Sequence, residues 1–145
     1  MIPRVVLDTH VLVAGLLTPF GTCATILRLL VSERIALAAD ARILAEYQDV
    51  RTRPRFDFEP DKVSLLLDHI RSTAEFHAPR PWPEALPDPD DQPFLEVAQE
   101  AGAAGLVTGN LRHYPPHLRF GVQVWSPAEF LEWVRRRAED PKSEG

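Results

Sequence analysis

The stretch Arg4-Val5-Val6-Leu7-Asp8 constrains this chain most. A short apolar, β-branched run ending in a carboxylate reads as a buried parallel strand with Asp8 at its carboxyl end. An ionised carboxylate in such a position is costly unless partners reach it. In open α/β sheets the carboxyl ends of the strands are also where ligands bind. Asp8 therefore requires partners from elsewhere in the chain, unless it serves only to cap the helix after it.

Those partners must come from a chain that alternates strand and helix patterns. His10 to Leu17 is apolar and helix-compatible, and it stops at Thr18-Pro19-Phe20-Gly21. A second helix is predicted from about Thr22 to Ser32, with Ile26, Leu27, Leu30 and Val31 on one face. Ile35 to Ala39 reads as a buried strand, and Asp40 as the N-cap of a helix running to about Arg51. That helix carries Ile43, Leu44 and Tyr47 as its apolar set, with Glu46 between them, and Pro54 ends the segment. Pro60 to Ser72 is amphipathic, and Ala74 to His77 is a short strand.

From Pro79 to Pro93 the chain is dense in proline. The stretch of chain beyond Pro93 is too short to fold alone, so this is an ordered connection rather than an interdomain linker. It delivers Asp88, Asp90 and Asp91 to the start of a helix over about Asp91 to Ala101, which Gly102 closes. Ala104 to Thr108 is the next strand, followed by Gly109-Asn110 and a loop rich in Pro and His. Val122 to Trp125 is the last strand, and Ser126-Pro127-Ala128-Glu129 opens a helix to about Arg137 with a capping box. The expected class is α/β, with a mostly parallel sheet covered on both faces. One domain is expected over residues 1–138, with a disordered polar tail over residues 139–145.

Composition narrows the function classes. The chain of 145 residues suits one core, and its 45% hydrophobic and 26% charged residues are ordinary for a globular domain. There is no apolar run near membrane-spanning length and no basic-then-apolar segment at Met1, so a cytoplasmic protein without membrane contact is expected. Cys23 is the single cysteine and sits within a helical pattern, which excludes an internal disulfide and favours burial. A net charge of -5 argues against a generally basic nucleic-acid binder. It leaves room for a nucleic-acid enzyme whose acidic site recruits metal.

In a parallel sheet Asp8, the Asp88 to Asp91 segment and Thr108-Gly109-Asn110 share the carboxyl edge. Glu46 joins them if its helix begins at that edge. Two carboxylates about 4 Å apart at an effective dielectric near 20 repel by roughly 4 kcal/mol, so such a cluster needs a proton or a cation. Hard divalent ions with oxygen ligands, Mg²⁺ or Mn²⁺ before Zn²⁺, suit it, and no Cys/His cluster competes. Simpler roles exist for each residue: Asp88 and Asp90 as turn formers, Asp91 as an N-cap, Glu46 as a solvated helix residue.

Together these segments resemble the PIN domain family, and within it the toxin components of toxin-antitoxin systems. The resemblance lies in Val5 to Val13, the helix bearing Glu46, Asp88 to Ala98, Leu106 to Asn110 and Val124 to Leu131. It implies a three-layer α/β/α sandwich and a metal-dependent endoribonuclease site. On that basis Asp8, Glu46 and Asp91 match the catalytic, metal-holding carboxylates, with Asp88 or Asp90 adding to them. Thr9 and Thr108 match supporting hydroxyl positions. Where the family commonly has a further Asp after Thr-Gly, this chain has Asn110, which offers an oxygen but no charge. Arg51, Arg53, Arg55, Arg112 and His113 are candidate RNA phosphate contacts, or simply solvated surface groups. The resemblance further implies an antitoxin partner and a homodimer.

Two rival readings remain. In one, Asn110 marks a metal-poor site, and the fold serves as an RNA-binding or protein-interaction module. In the other, Asp8 is the nucleophile of a phosphotransferase. His10 disfavours the second, because it stands where a haloacid-dehalogenase-like enzyme would place its second Asp.

Overall fold

The computed structural model describes residues 2–53, 58–80 and 86–139. Arg55, the helix-ending Pro54, prolines 81 and 83 and the tail from Asp140 lie outside the described residues.

The apolar opening run forms β1 (Arg4–Leu7), and Val5, Val6 and Leu7 are wholly buried. Burial on both faces is what a continuous apolar strand requires at the centre of a parallel sheet. β2 (Ala36–Ala39) pairs with β1 on one side, with Val5 opposite Leu37. Beyond it β3 (Glu75–Phe76) is one edge. On the other side β4 (Gly105–Val107) pairs with β1, Leu7 opposite Val107, and β5 (Val124–Trp125) is the other edge. All pairs are parallel, and the spatial order is β3-β2-β1-β4-β5.

Helices cover this sheet in the expected three-layer α/β/α sandwich. α1 (Thr9–Leu17) and α2 (Thr22–Val31) link β1 to β2 and pack on each other. α3 (Ala41–Val50) and α4 (Pro60–Thr73) link β2 to β3. α5 (Gln92–Ala101) returns the chain past β2 and β1 to β4, and α6 (Pro127–Glu139) comes after β5. No single described helix is long and apolar enough to cross a membrane.

The caps agree with the sequence. Asp40 accepts a hydrogen bond from the Ile43 amide at 2.9 Å, opening α3. Ser126 and Glu129 exchange hydrogen bonds with each other's amides at 2.9 and 3.1 Å, forming the capping box of α6. Gly102 closes α5 with φ +60°, and the Ala103 amide bonds back to the Ala98 carbonyl. Cys23 is half-buried rather than fully enclosed.

Two differences from the sequence reading matter for the site. Pro89–Asp91 forms a separate 3-10 turn before α5, with Asp88 accepting from the Asp90 amide at 2.9 Å. Asp91 sits at the junction, and its side chain makes no capping hydrogen bond. The connection from β4 to β5 contains no α-helix, only 3-10 turns at Leu111–His113 and Pro116–Leu118.

The layers are tied together by a polar link as well as by apolar packing. Arg42 of α3 bonds to Asp40 at 2.6 Å and to the buried Glu96 of α5 at 2.8 Å. Between α1 and α2 the contact is closer still: a Cβ at Gly15 would stand 2.5 Å from Leu27 Cδ1 and 2.9 Å from the Cys23 carbonyl oxygen. The carbonyl belongs to helix backbone and cannot rotate away. Gly15→Ala is therefore expected to destabilise the fold by about 1–3 kcal/mol. Urea unfolding checks this, and an unchanged or raised midpoint would contradict the close approach.

Candidate metal centre at the sheet edge

The strand order reverses between β1 and β4, so the crevice at their carboxyl ends is the topological switch point of the sheet. Asp8 and Thr108 occupy it as the residues that leave these two strands. Both still use the ladder: the Asp8 amide bonds to the Val107 carbonyl and the Thr108 amide to that of Trp125, each at 2.9 Å. Their side chains therefore project from a rigid edge.

Asp8 is 2% exposed and receives three donors. Thr108 Oγ1 donates to Oδ2 at 2.9 Å, Tyr114 Oη donates to the same oxygen at 3.2 Å, and the His10 amide reaches Oδ1 at 3.3 Å. Burial pushes the Asp8 pKa up, but its hydrogen bonds from His10 and Thr108 outweigh that and hold it below the ordinary value. His10 Nδ1 lies 3.7 Å from Asp8 Oδ1. Its pKa is raised, chiefly by its contact with Asp8 against the effect of burial, and further by the fields of Asp8, Asp91 and Glu46.

Glu46 arrives through its neighbour. Tyr47 is fully buried, and its hydroxyl donates to the Leu7 carbonyl at 2.5 Å, pinning α3 to the end of β1. The preceding residue is thereby held near Asp8. The Glu46 pKa is raised by burial first, then by the charges of Asp8 and Asp90, against relief from Thr9 and Arg53. Thr9 Oγ1 is buried and has no well-aligned hydrogen bond.

Asp91 completes the cluster. Oδ1 stands 3.5 Å from the Tyr114 hydroxyl, which thus lies between the two aspartates, and Oδ2 stands 3.0 Å from His113 Nδ1. This approach has ion-pair distance but not hydrogen-bond alignment, so both atoms remain buried without a hydrogen bond. Burial and the charge of Asp8 raise the Asp91 pKa to about 6, against the pull of His113. Asp88, Asp91 and His113 each bring one ligand atom within 4.8 Å of the others, the one such triplet among the described residues.

The residues present fit a divalent cation. Ligand atoms of Asp88, Asp91 and His113 converge, burial and the charge of Asp8 push both Glu46 and Asp91 above their ordinary pKa, and the buried Oδ2 of Asp91 lacks a hydrogen bond. A family model described as PIN domain matches residues 4–112. The chain belongs to the PIN domain family. PIN domains are in general nucleases that use divalent metals, and the fold here is that nuclease fold. No curated protein matches the chain.

Placement of the remaining expected residues in this PIN domain is mixed. Asp90 is exposed, although its charge reaches Glu46. Asn110 turns aside: its Oδ1 accepts from the Arg112 amide at 3.2 Å and opens the 3-10 turn at Leu111–His113. Arg51 and Arg112 are exposed, while Arg53 pairs with Asp49 at 3.6 Å. His113, expected among phosphate contacts, instead faces Asp91. Tyr114 is a site residue that sequence reasoning does not reach, because nothing in a Pro- and His-rich loop signals that its tyrosine folds back under a carboxylate.

Asp91 makes metal-free stability pH-dependent. Its native pKa, about 6, lies above the ordinary 3.8, so between these values the native state binds more protons than the unfolded chain. This contribution makes stability fall as pH rises through that window. In EDTA at pH 8, Asp91→Asn is expected to raise the melting temperature by about 2–4 °C, as for a gain near 1 kcal/mol. The gain should vanish near pH 4, and thermal scans across pH check it. A variant no more stable than wild type at pH 8 would contradict the charge conflict.

Proposed function

We propose that this PIN domain is a metal-dependent endoribonuclease that hydrolyses RNA phosphodiester bonds with Mg²⁺ or Mn²⁺. The observation that carries the proposal is the acidic group at the switch point: Asp88, Asp91 and His113 bring ligand atoms within 4.8 Å of one another, an Asp91 oxygen is left without a hydrogen bond, and Asp8 lies close enough to act electrostatically on both Asp91 and Glu46. Asp8, Asp91 and Glu46 would hold the cation, with Asp88 or Asp90 adding to them. A bound cation supplies Lewis-acid polarisation of a phosphoryl oxygen, acidifies a water, and offsets the repulsion between an acidic protein and a polyanion.

The chain's own groups have distinct tasks. His10 and Thr108 hold the Asp8 pKa below its ordinary value, and the donors Thr108, Tyr114 and the His10 amide fix its orientation. Tyr114 keeps its proton, since burial and the adjacent carboxylates raise its pKa far above the physiological range. Glu46 has a raised pKa and sits beside Asp8, which suits its carboxylate to accept a proton from an attacking water. Arg51, Arg53 and Arg112 lie on exposed or half-exposed surface and would contact RNA phosphates.

The protein would act in the cytoplasm as the toxin of a toxin-antitoxin pair, as a homodimer neutralised by its antitoxin. Exposed apolar side chains support a protein partner: Phe20 is 94% and Leu65 72% exposed, with Leu17 and Val31 also open. Leu65 also lines a cavity of about 420 Å³ between α1, α2 and α4, together with Leu27, Arg28 and Lys62.

Purified protein is expected to cleave single-stranded or structured RNA with Mg²⁺ or Mn²⁺, and EDTA should stop it. Asp8→Asn should lower kcat/KM by on the order of 100-fold or more. Gel-resolved cleavage of end-labelled RNA measures both. Cleavage that persists in EDTA would overturn the mechanism, and metal binding without cleavage would favour a binding module.

A further inference from the structure

We propose that His113 is a metal-ligating residue which, with Asp88 and Asp91, forms a mixed imidazole–carboxylate donor set that takes a first-row transition ion such as Mn²⁺ in preference to Mg²⁺. The inference rests on the cation-binding part of the function proposed above and not on RNA hydrolysis. The resemblance to the family nominates carboxylates alone for this task, and His113 enters through the geometry.

Three observations converge. The ligand atoms of Asp88, Asp91 and His113 lie within 4.8 Å of one another. The Asp91 side chain is only 10% exposed, yet its Oδ2 has no hydrogen bond, and neither has the buried Nδ1 of His113 facing it. Their separation of 3.0 Å is that of two neighbouring ligands of one ion, because bonds of about 2.1 Å at a right angle leave their ends roughly 3 Å apart. A neutral imidazole nitrogen and a carboxylate oxygen sharing an ion would satisfy both atoms at once.

Asn110 explains how the imidazole gets there. Its side-chain oxygen caps the turn at Leu111–His113, and that turn carries His113 back to Asp91. A residue that gives up a charge at one position thus helps place a nitrogen donor three residues later. Nitrogen changes the selectivity. Imidazole suits first-row transition ions, whereas Mg²⁺ demands oxygen ligands and parts reluctantly with water.

Electron spin-echo measurements on Mn²⁺ bound to the full-length protein test this directly. A ¹⁴N coupling from a directly bound imidazole is expected, replaced by a ¹⁵N coupling when the histidines are ¹⁵N-labelled. It should survive His10→Ala and disappear in His113→Ala. In calorimetric titrations His113→Asn should weaken Mn²⁺ binding by about tenfold or more and leave Mg²⁺ binding within about twofold. Should His113→Ala fail to fold, the wild-type coupling and its survival in His10→Ala decide, because His10 is the other histidine whose field reaches this cluster. Absence of nitrogen coupling, its loss in His10→Ala, or an unchanged Mn²⁺/Mg²⁺ ratio in His113→Asn would overturn the proposal. RNA cleavage without nitrogen coupling would sink this inference alone, and nitrogen coupling without cleavage would sink only the nuclease reading.

Discussion

Burial of the Asp8 carboxylate at the end of β1 is the constraint on which the rest of the site depends. A charge at 2% exposure is tolerable only where donors converge on it, and they come from three separate elements. Thr108 comes from the neighbouring strand's end, the His10 amide from the first turn of α1, and Tyr114 from the loop after β4. Parallel pairing of β1 with β4 brings the first of these alongside Asp8. The second is a consequence of a helix starting immediately after the strand. Asp8 is thus both the N-cap of α1 and the centre of the acidic cluster, and the two roles do not compete because they use different oxygens.

Once Asp8 is held ionised, the other carboxylates respond to it. Its field helps raise both Glu46 and Asp91, which nonetheless remain nearby because packing elsewhere holds their elements. Tyr47 fastens α3 to β1, and the Arg42 link from Asp40 to Glu96 joins α3 to α5. Neither contact touches the cluster directly. The apolar core and these polar links thus offset repulsion among carboxylates that would otherwise move apart, the usual arrangement where function and stability oppose each other.

Much of this was legible in the sequence, for identifiable reasons. The run Val5 to Leu7 read as a buried parallel strand, and Asp40, Ser126 with Glu129, and Gly102 punctuated helices by local chemistry that tertiary structure did not need to override. Asp8, Glu46 and Asp91 could be grouped because strand ends and helix starts share one edge in a parallel sheet. The 3-10 turn before α5 was harder to foresee, since Asp88 reads as a turn former and Asp91 as the N-cap, whereas in the structure Asp88 makes the capping hydrogen bond and Asp91 makes none. The loop after β4 carried the least information. Its contribution depends on how 3-10 turns aim individual side chains, and no periodic pattern encodes that.

That loop gains its importance from lacking a helix. A helical crossover between β4 and β5 would carry the chain away from the strand ends and over a face of the sheet. Two short 3-10 turns keep it at the edge instead. Tyr114 can then be wholly buried beneath Asp8, with its carbonyl held by Arg119 Nε at 2.7 Å, while the adjacent His113 faces Asp91. The same three-residue turn that Asn110 caps therefore brings a hydroxyl to one carboxylate and an imidazole to another. An Asp at position 110 could cap the turn equally well, but it would add a further negative charge to a cluster whose Glu46 and Asp91 are already raised by burial and by the charge of Asp8. Asn retains the capping oxygen without that charge, so the departure from the family pattern at this position is consistent with the loop's geometry.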